Sequence, residues 1–178
     1  DTGDKELFLR INTLGTLNSI HDLAFLASLP RLPDTIILPT VESPREVQLL
    51  ASWLDEMEKP GQEPAGIAVI LESAQGMFQA AEIAKASQRV TAVIFGGGDF
   101  SQQIGCAEQW EPLLYGRHTV VLAATVAGVD AIDVPFRDAE DEAGLRSECA
   151  RVRAMGFSGK GLIHPGQAPV VNEAFSAS

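Results

Sequence analysis

The chain has 178 residues, 46% of them hydrophobic, with a mean hydropathy of +0.09: enough for one domain with a buried core, and short for two. It carries 13 Lys plus Arg against 24 Asp plus Glu, a formal net charge of −11, and a field of that sign repels a phosphate backbone, which excludes nucleic acid as a partner. No apolar run reaches the roughly 18 residues of a membrane span, so no membrane partner is expected either.

Two cysteines, Cys106 and Cys149, cannot build a disulfide framework. Reduced thiols in a cytoplasmic protein are expected instead.

Along the chain, short β-rich runs alternate with longer segments whose apolar residues recur three and four apart. The first run, residues 7–12 (LFLRIN), precedes a helical pattern over 19–29. The run 35–41 (TIILPTV) leads to a helix over 43–59, opened by Ser43 and Pro44, the preferred N-cap and N1 residues. Next come a strand at 66–72 and a helix at 76–88, then a strand at 90–95 and a helix at 111–129. A strand at 131–134, a helix at 142–155 closed by Gly156, and a last strand at 161–164 complete the series.

Strand–helix alternation with near-continuous apolar strands predicts a parallel sheet covered by helices. Two architectures meet that pattern, an open doubly wound sheet and a barrel. The glycine-rich phosphate turn that marks the open sheet does not follow the first strand. A closed barrel needs eight βα units and about 250 residues. Six are visible.

In a parallel βα array the C-terminal strand ends share one face, and sites are built there. The polar residues at those ends are Arg10, Asn12, Thr40, Glu42, Glu72, Asp99, Asp133 and His164. Glu72 and Asp99 follow consecutive strands, and two converging carboxylates with open positions suit Mg²⁺, a hard cation that keeps several waters. Each could equally cap the helix that follows it. Gly96, Gly97 and Gly98 leave backbone N–H groups open to a ligand, or make a tight strand-to-helix turn.

Arg10, set among Phe8, Leu9 and Ile11, reads as a buried guanidinium facing a substrate anion or a neighbouring acid. His164 is either an acid–base group or the end of the last strand. Lys160, between Gly159 and Gly161, is expected to lie exposed rather than to form a Schiff base.

Seven short motifs in order carry a resemblance. They are Arg-Ile-Asn (10–12), Leu-Pro-Thr-Val-Glu-Ser (38–43), Leu-Glu-Ser (71–73), Phe-Gly-Gly-Gly-Asp-Phe (95–100), Leu-Leu-Tyr-Gly-Arg (113–117), Ala-Ile-Asp (131–133) and Gly-Lys-Gly-Leu-Ile-His-Pro-Gly-Gln (159–167). Together the motifs resemble the HpcH/HpaI aldolase/citrate lyase family, in its citrate lyase beta-chain branch.

The resemblance implies a (β/α)8 barrel, represented here by its third to eighth βα units and incomplete at both ends. It implies a Mg²⁺-dependent carbon–carbon lyase that cleaves a 3-hydroxy-acyl-CoA of the citryl, malyl or citramalyl type through a metal-stabilised enolate. By the same resemblance Glu72 and Asp99 hold the metal and Arg10 is catalytic. Gly97, Gly98, Glu42 and His164 complete the residues expected at a small-molecule substrate, and the assembly is a homo-oligomer, a trimer.

The alternatives are a metal-dependent aldolase of 2-oxo acids without CoA, and a non-catalytic barrel scaffold. Family members usually have Lys where this chain has Thr40, which removes a cation near the site. Six units on their own are expected to leave sheet edges and core surface without partners, and to be inactive.

Overall fold

The apolar runs pair as the alternation predicts. In the computed structural model, which describes residues 5–176, six strands form one sheet. They are β1 (Phe8–Arg10), β2 (Thr35–Leu38), β3 (Gly66–Leu71), β4 (Val90–Phe95), β5 (Asp130–Asp133) and β6 (Gly159–Lys160). All pair in parallel and in sequence order, each strand joining the one before it. A doubly wound sheet must reverse its direction of growth at a switch point. This sheet never does, and it curls into a half-barrel.

The helices are α1 (Leu17–Ser28), α2 (Pro44–Met57), α3 (Ala74–Phe78), α4 (Ala80–Ala84), α5 (Gly97–Ile104), α6 (Leu114–Ala127), α7 (Glu142–Met155) and α8 (Ala168–Phe175). The starts of α1, α2, α3 and α7 are fixed by side chains that take up free backbone N–H groups. Thr16 Oγ1 accepts from Ser19 N at 3.1 Å, Ser73 Oγ from Gly76 N at 3.0 Å, and Asp141 Oδ1 from Gly144 N at 2.8 Å. Before α2, Glu46 reaches back and accepts the Ser43 N–H at 2.8 Å.

Several elements differ from the expectation; β1 and β2 are shorter than the runs 7–12 and 35–41, and α8 is not among the expected helices. The helix read over 76–88 starts at Ala74, because Ser73 caps it, and is divided at Gln79 into α3 and α4. The last strand is Gly159–Lys160 rather than 161–164, and residues 165–167 form a 3-10 turn that leads into α8. Helix α5 begins inside the glycine triplet, whose low helix propensity hides it from a pattern reading.

The two faces of the sheet have different fates, as a period of two dictates. On the convex side Ile36, Leu38, Val69, Leu71, Val93 and Phe95 are each at most 1% exposed, packed beneath Val47, Leu50 and Leu54 of α2, Ile83 of α4 and Val120 of α6. Each such side chain contributes about 1.5–3 kcal/mol by leaving water. On the concave side the register puts Ile37, Ala68 and Ala92 in one row and Ile70, Ile94 and Ile132 in the next. None of these belongs to the helix-covered core, and Ile37, Ile94 and Ile132 are half-buried. That is the face on which a site can form.

At the opposite end of the strands Arg89 ties three elements together. It donates to Glu58 Oε1 at 2.7 Å and Oε2 at 2.9 Å, to the Ala65 carbonyl at 2.9 Å, and to Asp55. The hydrogen bond from Arg89 holds the Glu58 carboxyl below its ordinary value, against the opposing pull of burial. A depressed carboxylate contributes stability that is present above the unfolded pKa, near 4.5, and lost as pH falls through the folded value. Urea unfolding at pH values descending from about 5 should therefore show a loss in wild type that is smaller in Glu58→Gln. Equal pH profiles would take this pair out of the acid response.

A second ionic cluster lies under the last two strands. Asp133 is 0% exposed and turned toward the helices; its Oδ1 accepts Arg117 Nε at 2.9 Å and its Oδ2 accepts Lys160 Nζ at 2.7 Å. Lys160 Nζ also donates to Glu148 Oε1 and to the Val134 carbonyl, each at 2.6 Å. The expectation that Lys160 lies exposed is thus corrected: it is 6% exposed, drawn inward because Asp133 would otherwise keep a buried charge half-compensated. Its ammonium is fully engaged and is no Schiff-base candidate. Lys160→Met should cost about 3–5 kcal/mol in denaturant unfolding, the range for breaking one side of a buried pair. A loss below about 1 kcal/mol would mean that water substitutes for the ammonium.

Candidate active site

The strands deliver Arg10, Glu72 and Asp99 to one cleft at their C-terminal ends. The cleft encloses about 560 Å3, and Ile37, Ile70, Ile94 and Ile132 of the concave face are among its lining residues. Glu72 directly follows β3, and Asp99 sits in the first turn of α5, just beyond β4. The two carboxyl groups are near enough to interact. Burial pushes the Glu72 carboxyl above its ordinary value; hydrogen bonds from Thr40 oppose this, and the charge of Asp99 and a hydrogen bond to it push the same way as burial.

Close approach requires specific neighbours. A Cβ on Gly96 would lie 2.3 Å from Glu72 Cβ and 2.6 Å from its Oε2, so glycine alone lets Glu72 lie across the end of β4. Thr40 donates to Glu72 Oε1 twice, from its backbone N–H and from its hydroxyl, each at 2.8 Å. It does so from a left-handed conformation, φ +51°, which costs a β-branched residue about 1–3 kcal/mol. In the sequence Thr40 is marked as a polar strand-end residue and as the substitute for a lysine; its backbone conformation leaves no signature there.

The remaining candidates have mixed placements. Arg10 lines the cleft but is exposed, which corrects the expectation of a buried guanidinium. The reason is that β1 pairs only with β2 among the described strands, and Arg10 stands on the uncovered concave face. Gly98 lines the cleft, and a Cβ there would lie 2.7 Å from Arg137 Nη2. Gly97 packs instead against the Phe95 ring, at 2.9 Å from where its Cβ would be.

Glu42 gives its N–H to Glu46 at 2.9 Å and is not among the side chains lining the cleft. His164 is exposed and accepts the Gly166 N–H at 3.1 Å, capping the 3-10 turn. Both the N–H and the side-chain amide of Asn12 are bound to Asp22. Sequence reasoning missed Arg137, which lines the cleft and pairs with Glu108 at 2.7 Å; it lies in a loop with no motif to mark it.

The donor set fits a hard divalent cation. Among the described residues no group of three His, Cys, Asp or Glu side chains gathers to hold a metal. Two carboxylates, however, are the complement of an ion that retains several waters for substrate oxygens. With Glu72 Oε1 occupied by Thr40, Oε2 and the Asp99 carboxylate are the oxygens left for it.

Relatives share this frame. The chain is 35% identical over 190 aligned residues to the mitochondrial citramalyl-CoA lyase of Homo sapiens, an alignment that covers 100% of this chain and 56% of that one. It therefore spans little more than half the length of that curated relative. The crystal structure of RipC from Yersinia pestis superposes with a TM-score of 0.91 at 36% identity, covering 97% of this chain and 78% of that one. The citrate lyase beta subunit from M. tuberculosis, complexed with oxaloacetate and magnesium, superposes with a TM-score of 0.80 at 30% identity, covering 96% of this chain and 73% of that one. With its family model matched across residues 1–165, the chain belongs to the HpcH/HpaI aldolase/citrate lyase family.

Proposed function

We propose that the protein is a Mg²⁺-dependent carbon–carbon lyase acting on a 3-hydroxy-acyl-CoA, with Glu72 and Asp99 as the metal ligands. The observation that carries this reading is the pairing of those two carboxylates in one cleft with Arg10. A Glu72 carboxyl raised by burial and by the charge of Asp99 beside it is poised for a cation, which would relieve the repulsion between them. The bound metal, a Lewis acid, would supply positive charge to substrate oxygens.

The chain's own residues do the rest. Arg10 offers a planar, permanently charged fork to a carboxylate or a carbonyl oxygen on which charge develops as the carbon–carbon bond opens. Ile70 and Ile94 give the cleft an apolar lining that sheds water and strengthens each polar contact within it. Kinship with a citramalyl-CoA lyase supports a CoA ester over a free 2-oxo acid as substrate.

The same proposal includes the six strands as the third to eighth units of a (β/α)8 barrel, supported by their unreversed order and their open apolar concave face. It also includes a cytoplasmic location and association into a homo-oligomer, for which exposed Phe78, Tyr115 and Leu122 provide apolar surface.

Calorimetric titration of the full-length protein with MgCl₂ should give one site, and Glu72→Gln or Asp99→Asn should weaken it at least about tenfold. Undiminished binding in both variants would move the metal elsewhere. Arg10→Lys keeps the charge and loses the fork, so kcat/KM on a citramalyl- or malyl-CoA ester should fall about 10²-fold with the fold intact. Turnover of free 2-oxo acids in preference to CoA esters would select the aldolase reading, and Mg²⁺ binding with neither activity would leave a scaffold.

A further inference from the structure

Thr40 is the one non-glycine residue with positive φ among the described residues; Gly15, Gly61, Gly105, Gly128 and Gly156 fill the other such positions. A β-branched side chain is the least suited to that conformation, and strain of this kind persists only where the surroundings impose it. Its consequence is geometric. Just past β2, the left-handed turn aims both the N–H and the hydroxyl of one residue at a single oxygen, Glu72 Oε1, on the neighbouring strand's end.

Two further contacts fix the arrangement. The next residue returns to the sheet, Val41 N donating to the Ile70 carbonyl at 3.2 Å. Thr13 Oγ1 donates to Thr40 Oγ1 at 3.3 Å, which fills the acceptor side of that hydroxyl and leaves its proton for Glu72.

We infer that Thr40 is a positioning residue that decides which oxygen of Glu72 a divalent cation can take. With Oε1 held by two donors, Glu72 is confined to one rotamer and offers Oε2 alone, as a single-oxygen ligand beside Asp99. Thr40 touches neither metal nor substrate in this arrangement; it acts through Glu72. The inference rests on the metal reading proposed above, and it adds the residue that orients the ligand.

Two measurements on the full-length protein test it. The first uses no metal: crystal structures of wild type, Thr40→Ser, Thr40→Ala and Thr40→Gly in chelator. Wild type and Thr40→Ser should hold Glu72 in one rotamer with Oε1 against residue 40, while Thr40→Ala and Thr40→Gly should release it. A Glu72 that stays in place in both Thr40→Ala and Thr40→Gly would overturn the inference.

The second is calorimetric titration with Mg²⁺ alone. Thr40→Ala should bind about 10- to 100-fold more weakly and Thr40→Ser should recover the affinity. Thr40→Gly should also bind more weakly, although release of the backbone strain raises its Tm. Affinity that follows Tm across the series would make Thr40 a merely structural residue and would likewise overturn the inference. Failure of wild type to bind Mg²⁺ at all would count against the metal reading, and the metal-free structures would then decide the role of Thr40 by themselves.

Discussion

Two carboxyl groups held close to each other are the constraint around which this end of the sheet is built. Glu72 and Asp99 follow adjacent strands, so the parallel register that stabilises the sheet also forces their carboxyl groups together. The surrounding residues absorb that conflict in different ways. Gly96 provides room, Thr40 provides donors, and the first turn of α5 places Asp99 where backbone N–H groups favour negative charge. Burial, with the charge of Asp99 added to it, holds Glu72 more readily protonated than an ordinary glutamate.

Stability and chemistry are divided between the two faces of one sheet. The convex face carries the packed core under α2, α4 and α6, whereas the concave face presents the half-buried isoleucines and the cleft. The ionic cluster of Arg117, Asp133, Lys160 and Glu148 joins α6, β5, β6 and α7 on the core side. Lys160 also binds the Val134 carbonyl, and Val134 opens the loop that carries Arg137 over Gly98. A structural network on one face thus sets the backbone of a cleft-lining loop on the other.

Much of this was legible in the amino-acid order, and the reasons for the remainder are physical. The strand–helix alternation and the placement of Arg10, Glu72 and Asp99 follow from periodicity and from the rule that parallel strands end on one face. The unreversed strand order does not, since a doubly wound sheet has the same alternation. What periodicity does not carry is burial set by distant partners. Lys160 looks like a solvated residue between glycines until Asp133 and Glu148 are known to face it. Arg10 looks buried by its apolar neighbours, yet alternate residues of a strand face opposite ways and its side is the open one. Helix α5 was hidden because Gly97 and Gly98 are chosen for clearance from Phe95 and Arg137, against their helix propensity.

Electrostatics on two length scales then bear on the proposed substrate. A chain with net charge −11 presents a long-range field that disfavours an anionic CoA ester. Salt screens that field over about 8 Å at physiological ionic strength, so contacts within the cleft outweigh it once the ester arrives. Arg10 and Arg137 both line the cleft, two exposed cations beside two carboxylates. Arg137 is already paired with Glu108, an exposed contact that is weak enough to exchange for a substrate oxygen. Arg10 has no comparable acidic partner among the described salt bridges, which makes its fork the cation most open to the reacting group, with the Glu72–Asp99 pair bounding the same space. Recognition of an anion by an acidic protein is consistent when the cations are few and local and the acids beside them are reserved for a metal.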